Sequence, residues 1–348
     1  MTKVRLGIAG VGGIATDRHI PAFRDFEQVE ITHVYDINKE RAMVVANQFQ
    51  IPHIASSYEE MLDQIDAVVI TTPNKFHAPM AITALEKNIS VMCEKPMATT
   101  RAEAEAMVQA EEKSKGVLHI AYHYRFMKEA IAAKKIIDKG IIGEPLVVRV
   151  KAMRRRKVPG WGVFTNKELQ GGGALIDYGC HLLDLAMWLT GNQKPVEVSA
   201  QTYNRLSRMP NPVNEWGVFN PETFEVDDHV TAFIRFENNV TMLFETSWAA
   251  NVESDEEHIS ISGTKGGLNV FEMKVNQADD TLMTTLNIDY IQVDHPFEYL
   301  QAENFISAIM NSTPLRVQPA EAKDVSSVIE AIYLSAQKQR AIRLEGEK

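Results

Sequence analysis

Short apolar runs alternate with longer amphipathic segments over residues 1–123 of the chain. The apolar runs have the length of strands, and most are followed by a segment long enough for a helix. Strands that alternate with helices in this way are typical of a parallel, doubly wound sheet. The predicted strands are 4–9, 30–35, 66–72, 90–93 and 117–122, and the predicted helices are 39–49, 78–87 and 100–115.

In residues 124–348 the strand-like runs instead follow one another with short turns between them, which indicates an antiparallel sheet. We therefore expect an α/β fold with two domains: a doubly wound parallel sheet in 1–123, and an α+β domain with a mainly antiparallel open sheet in 124–348. Turns are predicted at Asn238-Asn239 and Lys265-Gly266-Gly267. The predicted strands are 146–152, 196–201, 230–236, 241–248 and 258–262, and the predicted helices are 128–139, 297–311 and 320–340.

A further helix, predicted at 174–190, follows three consecutive glycines and is almost entirely apolar. Its polar face carries, at spacings of four, three and four residues, Asp177, His181, Asp184 and Trp188. Burying two carboxylates and an imidazole is costly unless they are paired, neutral or facing a wet cleft, so this face is a candidate site. The alternatives are a capped helix start with a hydrogen-bonded core histidine, or a zinc or iron site.

The composition excludes several classes of protein for this chain. The 348 residues are 45% hydrophobic and 24% charged, as in ordinary soluble proteins, and the net charge of −10 argues against a nucleic-acid partner. Two cysteines, Cys93 and Cys180, lie in apolar stretches and do not suggest a disulfide framework. With no signal-peptide pattern and no apolar run near the roughly 18 residues of a membrane span, we expect a cytoplasmic protein without a membrane partner.

A glycine-rich pattern follows the first predicted strand directly. In this G-x-G-x-x-A sequence Gly10 makes a tight turn, Gly12 lets the backbone approach a pyrophosphate, and Ala15 allows the next helix to pack closely on the sheet. Amides at the start of that helix would face the phosphates. The residues expected to bind a dinucleotide here are Gly10, Gly12, Gly13 and Ile14.

The second predicted strand ends in Asp36. A carboxylate at this position accepts hydrogen bonds from the adenosine ribose hydroxyls and repels a 2′-phosphate. Lys39 and Arg41 are near, but neither follows Asp36 immediately. NAD is therefore expected in preference to NADP, with a loop or helix-capping aspartate as the alternative interpretation.

Other polar residues stand just past the ends of predicted strands, where ligands bind in doubly wound sheets. They are candidates for contact with the reactive half of a nicotinamide cofactor. These residues are Thr72, Pro73, Asn74, His77, Glu94 and Lys95.

Two irregular segments, 158–170 and 204–228, flank the glycine-rich helix, and each contains Trp-Gly-Val-Phe. A four-residue echo is not a structural repeat. Aromatic loops can wall a pocket, and Trp161 is a candidate substrate contact, although loop aromatics also pack into cores. The basic run 154–157 precedes Trp161, so Arg154 is a second candidate, with a solvated strand edge as the alternative.

The sequence resembles the Gfo/Idh/MocA oxidoreductase family, which includes inositol and sugar dehydrogenases, over essentially the whole chain. The residues that carry the resemblance are the fingerprint 10–15, Thr72-Pro73-Asn74 with His77, Glu94-Lys95-Pro96, and 171–173 leading to Asp177 and His181. The resemblance implies an N-terminal Rossmann domain and a C-terminal domain for substrate binding and oligomerisation. It also implies that Lys95 lies between nicotinamide and substrate, that Glu94 lies near the nicotinamide ribose, and that His123 is only a possible substrate contact.

We therefore expect an NAD(P)-dependent dehydrogenase that transfers a hydride between nicotinamide and a secondary alcohol of a sugar, sugar derivative or cyclitol. His181 would take the hydroxyl proton and Lys95 would stabilise the developing alkoxide. Asp177 would orient His181 or hold a neighbouring hydroxyl. A lysine beside this face would repel a bound cation, so no metal is expected.

Two alternatives from other classes stay open. One is a glycosidase or lyase that uses tightly held NAD transiently, and the other is a nucleotide-bound regulator without turnover. The sequence also predicts assembly, because strand-like runs such as 230–236 are apolar at both parities in places and would leave an exposed apolar face on a monomer. We expect a homodimer or homotetramer with closed symmetry.

Overall fold

The computed structural model describes residues 3–344, and these fall into two compact units. The first unit contains the chain up to Phe126 together with Asp294–Lys323, and the second contains Met127–Val293 together with the chain from Asp324 onward. The segment 294–323 thus joins the first unit, although the sequence analysis places it with the second domain. The domain boundary between residues 123 and 124 stays a prediction.

Strands within residues 3–344 belong to two sheets. They are β1 Val4–Ala9, β2 Val29–Tyr35, β3 His53–Ile54, β4 Ala67–Ile70, β5 Ser90–Cys93, β6 Leu118–Ile120, β7 Pro145–Met153, β8 Pro195–Tyr203, β9 His229–Phe236, β10 Thr241–Ser247, β11 Glu256–Gly263, β12 Gly266–Asn269, β13 Lys274–Asp279, β14 Leu282–Asn287 and β15 Ile342–Arg343.

The helices are of three kinds. The α-helices are α1 Ile20–Arg24, α2 Lys39–Phe49, α3 Tyr58–Leu62, α4 His77–Glu86, α5 Arg101–Lys113, α6 Lys128–Asp138, α7 Lys167–Gln170, α8 Cys180–Leu189, α9 Phe297–Asn311 and α10 Pro319–Lys338. The π-helices are Ala15–His19 and Leu175–Gly179, and the 3₁₀ turns are Asn74–Phe76, His123–Phe126, Pro221–Thr223 and Glu237–Asn239. Among the helices that lie within residues 3–344, none combines the length and the apolar character that a membrane crossing requires.

The first sheet has six parallel strands within the described residues, in the order β3-β2-β1-β4-β5-β6. Every residue of β4 and β5 is buried, as expected for strands covered on both faces. The strand order reverses between β1 and β4, and in such sheets the crevice at this reversal, beyond the carboxyl ends of the strands, binds ligands. The predicted doubly wound parallel sheet is confirmed.

Helix α9 packs in the core of the first unit. Ala302, Phe305 and Ile306 are buried in the same apolar cluster as Phe23 of α1. The Phe23 and Phe305 rings meet edge to face with centroids 6.2 Å apart. These contacts explain why a segment far along the chain belongs to the first unit.

The second sheet has nine strands among the described residues, in the order β14-β13-β12-β11-β7-β10-β9-β8-β15. Strand β7 pairs in parallel with β10, and the other pairings are antiparallel, which confirms the predicted mainly antiparallel sheet. The turn predicted at Lys265-Gly266-Gly267 is wrong in part. Gly266 and Gly267 begin β12, where backbone pairing with β11 and β13 holds them extended.

The helix predicted at 174–190 is present in two parts. Its first turn is the π-helix Leu175–Gly179, and α8 continues from Cys180 to Leu189. The π-helix packs on β10 and α8 packs on β7. The helix therefore covers one face of the second sheet. Leu243, which alternates with the buried Met242 and Phe244, faces the other side and is 47% exposed.

Candidate functional site

The fingerprint loop turns at Gly10. This residue has a φ of 83°, which favours glycine, and its amide donates to the Tyr35 carbonyl oxygen at 2.7 Å. A side chain built on Gly10 would come within 2.9 Å of Thr71. A Cβ atom built on Gly12, by contrast, would have no heavy atom of the described residues within 4 Å, apart from those of its chain neighbours. This open backbone is what a pyrophosphate requires, so the loop fits a dinucleotide. Gly13 and Ile14 follow and lead into the π-helix.

Asp36 fastens the fingerprint loop to the end of β2. Its Oδ2 accepts a hydrogen bond from the Val11 amide at 3.0 Å, and its Oδ1 accepts one from the Asn38 amide at 2.8 Å. The Arg41 guanidinium lies 3.7 Å from Oδ2 and is 53% exposed. A cation this close would attract a 2′-phosphate that the carboxylate repels. The preference for NAD over NADP therefore stays a prediction.

His77 contacts two segments of the first unit, and each contains predicted site residues. Its Nδ1 lies 2.8 Å from the carbonyl oxygen of Pro96, and its Nε2 lies 2.9 Å from that of Thr72. The ring is fully buried, and this burial lowers its pKa. Both partners are acceptors, so the neutral ring donates to one of the two carbonyl oxygens at a time. Its position between them places the segment that contains Pro73 and Asn74 beside the Glu-Lys-Pro turn. Contact between His77 and a cofactor stays a prediction.

Glu94 is the most strongly held carboxylate at the end of β5. Its Oε1 accepts a hydrogen bond from Nε2 of His19 at 2.7 Å, and its Oε2 accepts one from the Lys95 amide at 3.1 Å. Burial alone would raise the pKa of Glu94, but the His19 bond and the charges of His19, Arg18 and Lys95 hold it well below its usual range. Glu94 is therefore ionised, and the half-buried Lys95 follows it directly.

Sequence reasoning missed His19. It is the last residue of the π-helix after the fingerprint and is only 3% exposed. The topology of the sheet, rather than a local motif, could have indicated His19. The carboxyl ends of parallel strands meet at one edge of a sheet, which brings the helix that follows β1 and the residue that follows β5 to the same edge.

His123 lies in the same part of the first unit. Nη1 of Arg18 donates to its Nδ1 at 3.1 Å, and its ring stacks on Phe297 with centroids 5.0 Å apart. Burial and the charge of Arg18 hold the pKa of His123 well below its usual value, so the ring is neutral. Because arginine only donates, Nδ1 is the acceptor and Nε2 carries the proton.

In the second unit, Asp227 anchors the start of the glycine-rich helix. Its Oδ1 accepts hydrogen bonds from the Gly173 amide at 2.8 Å and the Tyr333 hydroxyl at 2.7 Å. Its Oδ2 accepts one from the Leu175 amide at 3.0 Å. The carboxylate thus satisfies amides that the first turn leaves without helical partners. Sequence reasoning missed this anchor, which comes from a residue 54 positions away from Gly173.

Trp248 and Arg154 both donate hydrogen bonds to Asp177. Its Oδ2 accepts a hydrogen bond from Nε1 of the fully buried Trp248 at 3.0 Å and one from Nη1 of Arg154 at 3.4 Å. The structure thus brings two predicted site residues, Asp177 and Arg154, into contact. Trp248 was predicted only as part of a strand.

His181 and Asp184 lie further along α8, and both are buried, with exposures of 6% and 0%. In residues 3–344 no three or more histidine, cysteine, aspartate or glutamate side chains form a cluster that could hold a metal ion. Trp161 lies on a loop, is 51% exposed, and has its ring centroid 5.4 Å from that of Trp216.

Both halves of the chain match family models. Residues 4–122 match an oxidoreductase family with an NAD-binding Rossmann fold, and residues 130–269 match the GFO/IDH/MocA C-terminal domain. D-glucoside 3-dehydrogenase of Escherichia coli is 30% identical over 99% of this chain and 98% of its own. D-xylose 1-dehydrogenase [NADP(+)] of Haloarcula marismortui is 29% identical over 98% and 93%. A structure of levoglucosan dehydrogenase with NADH and levoglucosan has a TM-score of 0.84 at 25% identity and covers 99% of this chain and 100% of its own.

These matches confirm the predicted resemblance and the predicted enzyme class, an NAD(P)-dependent dehydrogenase. They leave the substrate and the choice between NAD and NADP open, because the relatives act on different sugars and one of them is named for NADP. The chain belongs to the Gfo/Idh/MocA oxidoreductase family.

Proposed function

We propose that this protein transfers a hydride between NAD and a secondary alcohol of a sugar, sugar derivative or cyclitol. The observation that carries the proposal is the presence of Asp177 and His181, four residues apart, on a helix whose other residues, apart from Asp184, are mostly buried and apolar. Burial of such groups is costly, and a catalytic site is the use of them that fits the family. The relatives named for glucoside, xylose and levoglucosan support a carbohydrate substrate.

Each site residue has a proposed role. NAD supplies the hydride chemistry when bound. His181 takes the proton of the reacting hydroxyl, and Lys95 stabilises the alkoxide that develops on its oxygen. Asp177, held by Trp248 and Arg154, orients His181 or a neighbouring hydroxyl. Glu94 lies near the nicotinamide ribose.

We assign residues 1–123 to nucleotide binding and 124–348 to substrate binding and assembly. The cofactor is NAD, since the Asp36 carboxylate at the end of β2 suits ribose hydroxyls better than a 2′-phosphate. A cytoplasmic location fits the buried thiols Cys93 and Cys180, which a reducing compartment would preserve.

Replacement of His181 by Ala tests the proposed base. Turnover should fall by about 10²- to 10⁴-fold, because proton transfer in the transition state is lost. NAD affinity, measured by fluorescence titration, should change far less. His258→Gln is the matched control, since His258 forms a surface pair with Glu272, and it should retain turnover. An equal loss of turnover and NAD affinity in the His181 variant would contradict the role.

The two alternative classes separate in one assay. The wild-type enzyme is given NAD and a panel of sugars, methyl glycosides and cyclitols, and reduced nicotinamide is followed by its absorbance. A dehydrogenase accumulates reduced cofactor, whereas a glycosidase or lyase that re-reduces its substrate does not. A regulator leaves both the cofactor and the substrate unchanged.

We also propose a homodimer or homotetramer built through the open face of the second sheet. Leu243 on that face is 47% exposed, its cross-strand neighbour is Phe233, and Arg235 lies over the Phe233 ring at 5.1 Å. Light scattering should therefore give a multiple of the 39.1 kDa chain mass. A mass equal to one chain at micromolar concentration would contradict this.

A further inference from the structure

Two loops of the second unit are fastened to each other by Asn214. Its Oδ1 accepts a hydrogen bond from the Val158 amide at 2.8 Å, and its Nδ2 donates to the carbonyl oxygens of Val158 and Gly217, each at 2.9 Å. These bonds join the loop that carries Trp161 to the loop that carries Trp216. These hydrogen bonds therefore fix the two loops, and with them the two indoles, relative to each other.

The two indoles adjoin at an interplanar angle of 43°, and we name this pair, Trp161 and Trp216, the tryptophan platform. Their ring centroids are 5.4 Å apart, and the residues are 51% and 37% exposed. Two adjoining exposed indoles are an apolar surface of the kind that marks a ligand contact.

Arg154 connects the tryptophan platform to the proposed catalytic helix. Its guanidinium carbon lies 4.6 Å from the Trp216 ring centroid and 4.1 Å from that of Tyr178. Its Nη1 donates to Asp177 at 3.4 Å. The Arg154 guanidinium thus contacts both the tryptophan platform and Asp177. A sugar ring with a hydroxyl bound at Asp177 would therefore adjoin Arg154, and a substituent on that ring could extend to the indoles.

We propose that the tryptophan platform is a subsite for a second ring, so that the preferred substrates are glycosides whose aglycone is another sugar. This inference rests on the proposed function, because it takes Asp177 as the place of the oxidised ring. The C–H face of a pyranose packs on indole as other apolar groups do. The guanidinium has five N–H donors, more than its bond to Asp177 uses, and these suit the hydroxyls at the junction of two rings.

The experiment compares substrates that differ only beyond the first ring. The probes are the methyl and phenyl glycosides of glucose, galactose and xylose, and the disaccharides cellobiose and maltose. The readout is the ratio of kcat/KM for the phenyl glycoside or disaccharide to kcat/KM for the matching methyl glycoside. In the wild-type enzyme this ratio should be about ten or more for the sugar that is oxidised best, since two aromatic contacts act together.

Trp161→Ala should lower that ratio by about threefold to tenfold, the size of one aromatic contact. Trp161→Phe, which keeps an aromatic ring, should restore part of it. Val218→Ala is the matched control, because Val218 lies in the loop of Trp216 and is 97% exposed, and it should leave the ratio unchanged. Thermal unfolding of each variant shows whether the loops still fold.

A ratio near one in the wild-type enzyme overturns the inference, as does a ratio that Trp161→Ala leaves unchanged. The same holds if free sugars are oxidised and every glycoside is refused. These outcomes leave the proposed function intact, because hydride transfer to NAD is still observed. If none of these glycosides is oxidised but a free sugar or a cyclitol is, this inference fails and the proposed function stands. If no glycoside, free sugar or cyclitol is oxidised, both fail.

Discussion

The buried pair of His19 and Glu94 gives the sharpest test of the structure. The two side chains are 3% and 7% exposed, and their bond is 2.7 Å long. In His19→Ala the Glu94 carboxylate keeps the Lys95 amide as a donor but loses its partner side chain. Removing one partner of a buried pair leaves the other charge without its hydrogen-bonded side chain, although Arg18 and Lys95 still act on Glu94. We expect the free energy of unfolding to fall by about 3 to 5 kcal/mol.

A second substitution separates this charge effect from lost packing. Glu94→Gln removes the buried charge, so it should stabilise the protein when it is added to His19→Ala, by about 1 to 3 kcal/mol. Urea unfolding at pH 7 measures the free energy of unfolding of the wild-type protein, His19→Ala, Glu94→Gln and the double variant. The exposed pair Lys151 and Glu256 is the control, and breaking it should change stability far less.

The pH dependence tests the same argument independently. In the wild-type protein the pKa of Glu94 is held low, so its contribution to stability is present above the usual range of a carboxyl group and is lost as pH falls through the folded value. We expect burial, the largest single influence on this pKa, to outweigh the remaining charges of Arg18 and Lys95 when His19 is absent, so that the pKa of Glu94 rises above its value in the unfolded chain. The folded state would then bind a proton more readily than the unfolded state. The single and double variants both lack His19, so the stability gap between them should narrow from pH 7 to pH 5. A double variant less stable than His19→Ala, or a gap that does not change with pH, would refute the reasoning.

Two further predictions concern the first unit. Asp36→Ala should weaken NAD binding and relax discrimination against NADP, because a ribose acceptor and a repulsive charge are both lost; wild-type preference for NADP in fluorescence titrations would show the assignment to be wrong. His119→Phe should flatten the dependence of stability on pH. Burial and the charges of His19 and Arg125 lower the pKa of His119 to about 3, so its contribution is present above about 6.5 and is lost towards pH 3, by up to about 1.4 kcal/mol per pH unit. Urea titrations between pH 4 and pH 7 check this, and parallel curves for the two proteins would contradict it.

The sequence allowed prediction of those features that local pattern encodes. Strand β5 and helix α9 lie at their predicted positions, because apolar periodicity and chain punctuation are local properties. The fingerprint loop at Gly10 was predicted for the same reason. Strand β12 was missed because its two glycines indicate a turn, while its extended form depends on neighbouring strands.

The residues that hydrogen-bond to the candidate site residues could not be predicted from local pattern. His19 bonds Glu94 across 75 positions, and Trp248 bonds Asp177 across 71. Nothing in the pattern around either donor indicates its partner, because these contacts arise only when separate elements pack together. The candidate site residues could therefore be named from the sequence, whereas His19 and Trp248, which hydrogen-bond to two of them, could not.

The π-helix Leu175–Gly179 is the clearest instance of this division. The four-residue spacing of Asp177 and His181 predicts one shared face only if the helix has 3.6 residues per turn throughout. A π-turn adds a residue to the turn, and Asp177 lies inside it while His181 lies beyond it. The angular relation between the two side chains therefore differs from the predicted one. Asp177 is 18% exposed at its bonds to Trp248 and Arg154, and the ring of His181 is buried. The direction of the Asp177 carboxylate thus depends on the π-turn and on its two donors, not on the spacing alone.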